Sequence, residues 1–201
     1  MKVFFDLFIK STILVFVGVF IYLSPYIFQE VRYLVKPYEE FQVVDNSEES
    51  MLDTGSSRVI KPVDTDFGII VPKLGISAAV LNYEDMGDFS EEEKGGVYKV
   101  SNSYKPGSLG EVILHTFASK SELMNRKSAT YYLLHRLKEE DNIILYYKDD
   151  RFDYQIVDKE VVPADAYDKY QSQQNNELRL VSNWPPGMSS QKIIIYATQV
   201  N

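Results

Sequence analysis

The sequence contains no cysteine and only two histidines, His115 and His135. The absence of cysteine excludes disulfides, thiolate metal sites and a cysteine nucleophile. Two histidines leave few groups for metal binding or for general-base catalysis near neutral pH. The chain also lacks an HExxH motif, a phosphate-binding loop and a GxGxxG motif. We therefore expect neither a metal site nor a cofactor.

Basic residues are outnumbered by acidic ones. The 201 residues include 21 Lys and Arg against 29 Asp and Glu, which gives a formal net charge of −8. Because no basic stripe is available to neutralise a phosphate backbone, nucleic-acid binding is not expected. A hydrophobic content of 45% and a charged content of 25% are typical of one globular domain with appended segments.

One long apolar run lies near the N-terminus, from Ser11 to Gln29. It is uncharged and long enough to cross a bilayer core of about 30 Å, so it predicts a transmembrane helix. A cleaved signal peptide is the alternative. Such peptides have shorter apolar cores that end in small residues, whereas this run passes through Tyr22 and Pro25. We therefore favour an uncleaved anchor.

The charges beside this run predict its orientation. Lys2 and Lys10 precede it, which gives a weak positive-inside bias. We expect residues 1–10 to be cytoplasmic, residues 11–29 to span the cell membrane once, and the C-terminal domain to be extracytoplasmic.

A polar stretch follows the apolar run. We interpret residues 30–66 as a juxtamembrane segment and a polar spacer, because the stretch from Val44 to Asp66 is polar and acidic. A folded arm lying on the domain is the alternative for Ser57 to Pro62. The globular domain is predicted over residues 67–201.

The pattern of this domain favours β structure. Short apolar, β-branched runs alternate with Gly and Pro turns, which is typical of an all-β barrel. The runs are Phe67 to Val71, Ile76 to Leu81, Val112 to Phe117, Asn142 to Lys148, Phe152 to Val162, Leu178 to Val181 and Ile193 to Val200. One short helix is predicted from Ser128 to Lys138, with Tyr131, Leu134 and Leu137 on one face.

The end of the chain carries a resemblance to a known family. Ser182-Asn183 precedes an aromatic-proline turn, Trp184 to Gly187, and Lys192 opens the final strand. This stretch resembles the end of the sortases, membrane-anchored cysteine transpeptidases of bacterial surfaces. In that family a Thr-Cys dipeptide precedes the turn and an arginine opens the final strand. The resemblance puts Asn183 at the cysteine position and Lys192 at the arginine position.

A second stretch extends the resemblance. Sortases have a Pro-Gly turn, a short apolar strand and a Gly-His pair that carries the catalytic histidine. Aligned without gaps from Gly110, that pair falls on Thr116-Phe117, and the nearest histidine is His115. The resemblance covers Phe67 to Val200. It implies a mainly β protein with a closed barrel of about eight strands and one or two short helices, preceded by the transmembrane helix.

The residues at the three catalytic positions cannot perform the family's reaction. In sortases a cysteine thiolate attacks the peptide carbonyl after threonine, a histidine moves protons and an arginine stabilises the oxyanion. Asn183 offers no nucleophile and Phe117 cannot titrate. Lys192 keeps a positive charge but lacks the planar guanidinium. We therefore predict an inactive pseudosortase that binds a peptide or acts as a scaffold.

Three aromatic residues are candidates for binding. Trp184 is predicted to form one wall of a peptide groove, or more simply to pack on the barrel rim. Tyr167 and Tyr170 can line the same groove. The expected partners are the membrane and a surface-protein peptide or another envelope protein.

Two alternatives remain open. One is an active acyl-transferring or peptide-hydrolysing enzyme with relocated catalytic residues: His115 with Ser182, or Ser189 with Lys192. Since adjacent strand residues face opposite sides, Ser182 is expected to point away from the face of Asn183. The other alternative is a purely structural surface domain.

Overall fold

The computed structural model describes residues 2–35, 41–44, 59–86, 96–117, 128–167, 178–185 and 189–200. The chain divides into two compact units, Met1–Pro37 and Tyr38–Asn201. The first unit contains one helix, α1 (Lys2–Val35), and many of its described apolar side chains, including Phe4 and Phe16, are exposed. In the part of the chain that the structure describes, no helix is both long and apolar enough to cross a membrane. The transmembrane segment over 11–29 stays a prediction.

The second unit is built on a closed barrel of eight strands. Neighbouring strands follow the order β10-β8-β7-β3-β4-β5-β6-β9, and β9 pairs with β10 to close the ring. A mainly β fold with an eight-stranded barrel is therefore confirmed. The strands are β1 (Gln42–Val43), β2 (Val59–Ile60), β3 (Phe67–Val71), β4 (Ile76–Asn82), β5 (Gly96–Lys99), β6 (Val112–Phe117), β7 (Asn142–Tyr147), β8 (Asp150–Pro163), β9 (Leu178–Trp184) and β10 (Gln191–Gln199).

The predicted short helix is a 3₁₀ helix over Ser128–Arg136. Tyr131, Leu134 and Leu137 are buried, as the predicted apolar face requires. Burial of this face, rather than helix propensity, accounts for a short helix being stable here.

The hairpin between β7 and β8 turns earlier than the sequence predicts. The predicted strands, Asn142 to Lys148 and Phe152 to Val162, leave Asp149 to Arg151 as the turn, but Tyr147 already pairs with Asp150. The loop is Lys148 and Asp149, both with positive φ, 53° and 66°. A two-residue turn of this kind matches the twist of the flanking strands but is usually built from Asn and Gly. The sequence did not predict this turn because lysine is uncommon at its first position.

The segment before the barrel is less of a spacer than the sequence predicts. β1 and β2 form a parallel pair, and Ile60 packs with Ile70, Ile144 and Tyr146 in one buried cluster. Burying an isoleucine side chain contributes about 1.5–3 kcal/mol, which favours this short segment lying on the barrel. Val59–Ile60 therefore lies as the folded-arm alternative for Ser57 to Pro62 predicts, and the spacer over the rest of residues 30–66 stays a prediction.

Candidate functional site

The three positions that the resemblance aligns with the catalytic residues of sortases, Phe117, Asn183 and Lys192, lie on one face of β6, β9 and β10. In the parallel pair β6–β9, His115 is opposite Val181, and in the antiparallel pair β9–β10, Asn183 is opposite Lys192. Because side chains alternate along a strand, Phe117 shares the face of His115, and Asn183 shares that of Val181. We call the face that these five residues share the site face.

The Asn183 and Lys192 side chains contact each other. The Lys192 ammonium donates a hydrogen bond to Asn183 Oδ1 over 2.6 Å. An ammonium can only donate, so the amide oxygen must face it and the amide NH₂ group points elsewhere. Both residues are half-buried. The position that the resemblance aligns with the cysteine therefore holds a hydrogen-bonded carboxamide.

His115 lies beside this pair, under an aromatic cover. Its Nε2 lies 3.1 Å from the Tyr167 hydroxyl, and the rings of Tyr167 and Phe117 lie edge-on to the imidazole at centroid distances of 5.7 Å and 5.9 Å. Burial, and then the charges of Lys192 and Arg179, lower the pKa of His115 to about 4. The imidazole is therefore neutral at neutral pH.

Ser182 does not join His115. Its hydroxyl donates to the Thr116 carbonyl over 3.2 Å, while the Thr116 hydroxyl donates to the Val181 carbonyl over 3.2 Å. Ser189 is exposed. Among the described residues, no serine hydroxyl bonds to His115 or Lys192. The relocated catalytic pairs thus lack the contact that proton transfer requires.

The three aromatic candidates have different surroundings. Trp184 lies against His135 of the 3₁₀ helix, with 5.0 Å between ring centroids, whereas Tyr167 lies against His115. The Trp184 contact matches the simpler interpretation of a residue that packs on the barrel rim. Tyr170 lies outside the described residues.

Sequence reasoning missed a buried ion pair on the same side of the sheet. Arg179 donates two hydrogen bonds to Glu111, from Nε to Oε1 at 3.0 Å and from Nη2 to Oε2 at 2.7 Å. Its guanidinium also lies 5.7 Å from the centre of the Tyr196 ring. The available signal was an arginine inside the apolar run Leu178 to Val181, since a charge in a buried strand needs a partner.

Within the described ranges, no cluster of three or more His, Cys, Asp or Glu side chains could hold a metal ion.

Comparison with known proteins identifies the family. A family model described as "Sortase domain" matches residues 69–200. Sortase A from Corynebacterium diphtheriae, a lid mutant, is similar with a TM-score of 0.56 and 16% identity, over 69% of this chain and 71% of that one. Sortase C-1 from Actinomyces oris gives 0.54 and 16%, over 69% and 76%.

A third solved structure agrees with these two. Sortase C from Clostridium perfringens gives a TM-score of 0.53 and 17% identity, over 71% of this chain and 73% of that one. No curated protein matches. At these identities the solved structures establish the shared fold, and the family model covers most of the barrel domain. The chain belongs to the sortase family.

Proposed function

We propose that this sortase-family protein has no transpeptidase activity and acts as a peptide- or protein-binding or scaffold module. The observation that carries the proposal is the hydrogen bond from Lys192 to Asn183 at 2.6 Å. It joins the two positions that match the family's arginine and cysteine. The group that would stabilise an oxyanion is bonded instead to the residue that replaces the nucleophile.

Each catalytic role fails for a separate physical reason. A carboxamide such as Asn183 has no ionisable atom that a base could activate. Phe117, at the histidine position, carries no proton to transfer. His115 is neutral but bonded to Tyr167, so it lacks a nucleophile to activate. No single substitution restores this chemistry.

Binding remains physically possible at the same place. Asn183, Lys192 and His115 are half-buried rather than fully covered, and they combine a cation with neutral hydrogen-bonding groups. We propose that the partner is a surface-protein peptide or another envelope protein. We also propose that the apolar run within α1 anchors the protein in the cell membrane, with the barrel outside.

The test is to incubate the full-length protein with sorting-type peptides and an amine acceptor. An active sortase serves as the positive control, and products are separated by chromatography and identified by mass. We expect no hydrolysis and no transpeptidation, while a fluorescently labelled peptide gains polarisation on binding.

Two results would contradict this proposal in different ways. Product formation that disappears in His115→Ala or Ser182→Ala would support the relocated enzyme. Absence of both product and peptide binding would favour the purely structural domain.

A further inference from the structure

Lys192 differs in its partner from Lys73, Arg179, Lys159 and Lys99, which are also poorly exposed. Lys73 pairs with Asp141 at 2.6 Å and Arg179 with Glu111 at 2.7 Å. Lys159 donates to two backbone carbonyls, and so does Lys99. Lys192 donates only to the Asn183 amide oxygen and, among the described residues, has no carboxylate partner. A half-buried charge without a counterion is costly unless a ligand supplies one.

The hydrogen-bonding groups left over at this pair are donors. An ammonium has three N–H groups and Lys192 uses one of them on Asn183. Since Asn183 accepts through Oδ1, its NH₂ group retains its donors, and within the described part of the chain no acceptor contacts them. A site that offers donors and one positive charge fits an anionic acceptor.

The charges that act on His115 have the opposite sign to that of the whole protein. The chain carries a net charge of −8, yet the ionic groups that act most strongly on His115 are Lys192 and Arg179, both positive. Arg179 is neutralised by Glu111, so Lys192 is the cation left to attract a ligand.

The single charge favours a carboxylate over a phosphate. The two oxygens of a carboxylate can each accept an N–H, one from Lys192 and one from Asn183. A dianionic phosphate would keep an uncompensated charge in a half-buried site, which is unfavourable.

We propose that Lys192 and Asn183 together bind the carboxylate of a peptide ligand, supplied by its C-terminus or by an acidic side chain. This inference rests on the proposed binding function. On this proposal Asn183, which is aligned with the cysteine that attacks a carbonyl in active sortases, instead helps to bind a carboxylate.

The test uses the full-length protein in detergent micelles and one labelled sorting-type peptide in three forms. The forms are a free C-terminal acid, a C-terminal amide, and an amide with one internal glutamate; fluorescence polarisation gives each Kd. We expect at least one carboxylate form to bind about tenfold more tightly than the plain amide, the size of one charge-assisted hydrogen bond. The form that gains identifies the source of the carboxylate.

Two variants separate the site from general charge. Lys192→Met should remove the preference for the carboxylate forms over the plain amide. Lys138→Met, which removes an exposed lysine, should keep the preference. An equal loss in both variants would overturn the inference, because it would show a non-specific charge effect.

A probe without a peptide tests the site directly. Acetate should shift the Asn183 side-chain NH₂ signals in an NMR titration, and this shift should be absent in Lys192→Met. No shift, or tighter binding of inorganic phosphate than of acetate, contradicts the carboxylate site. The proposed function fails separately, if the peptides are cleaved or if none of the three forms binds.

Discussion

Two cations on the same side of β9 and β10 have opposite surroundings. Arg179 is 8% exposed, and its guanidinium donates hydrogen bonds to both carboxylate oxygens of Glu111. Lys192 is half-buried and donates to one neutral amide oxygen. Both lie on the face that also carries His115, by the alternation of side chains along a strand.

The difference separates a structural group from one available for binding. The Arg179 guanidinium is geometrically matched to a carboxylate of the chain, so the pair contributes to holding β6 against β9. Burial still raises the pKa of the Glu111 carboxyl, although Arg179 acts to lower it. The pair is therefore costly to desolvate, and its value depends on both members being present. The contribution of Lys192 to stability does not depend on a carboxylate partner in this way.

The largest effect should come from breaking the Arg179 pair. Glu111→Gln leaves a buried guanidinium without a counterion and should lower the free energy of unfolding by about 3 kcal/mol. Lys192→Met removes a half-buried charge that has no carboxylate partner among the described residues, so it should lower the free energy of unfolding by less than about 0.5 kcal/mol. Urea unfolding followed by circular dichroism measures both.

A double variant checks the reason for that loss. Glu111→Leu combined with Arg179→Met removes both charges and should recover most of the stability lost in Glu111→Gln, because no unpaired charge remains. If Lys192→Met proves as destabilising as Glu111→Gln, the distinction between a structural Arg179 and a Lys192 available for binding is wrong.

The barrel was predictable because its signals are local. Alternating and β-branched runs between Gly and Pro identified the barrel strands except β5, and Tyr131, Leu134 and Leu137 identified the helix face. The turn at Lys148 and Asp149 was misplaced because lysine, at its first position, is not typical of positive φ. The packing of Ile60 on Ile70 and Tyr146 was left open because it depends on contacts far apart in sequence.

The site was predictable only in part, for a related reason. Motif order aligned Asn183 and Lys192 with the family's positions, but their hydrogen bond depends on the β9–β10 register. The pairing of Arg179 with Glu111 joins residues on opposite sides of a parallel strand pair. Nothing in the local sequence of either residue indicates the other.

The second prediction concerns His115, which lies between the two cations. Its pKa is about 4 in the folded protein and about 6.5 in an unfolded chain. Between these values the unfolded state binds more protons, so this contribution to stability is present above pH 6.5 and is lost as the pH falls. We expect a loss of about 2 kcal/mol between pH 7 and pH 5 from this group.

Comparison with a variant isolates the His115 contribution. Unfolding by urea at a series of pH values should show a shallower decline for His115→Gln than for the unmodified protein. Lys192→Met should raise the pKa of His115, since it removes a positive charge that lowers this pKa; an NMR titration of the imidazole measures it. Identical pH profiles in all three proteins would mean that His115 is not held neutral.

The smallest effect concerns the cover over His115. Tyr167→Phe keeps the edge-on ring contact but removes the hydroxyl that lies 3.1 Å from Nε2, so the free energy of unfolding should fall by about 1 kcal/mol. Tyr104→Phe, at an exposed tyrosine, should leave it unchanged. If Tyr167→Phe is neutral while His115→Gln still flattens the pH profile, burial and the two cations keep the imidazole neutral without the hydroxyl. The contrast between Arg179 and Lys192 would then be set by charge and packing alone.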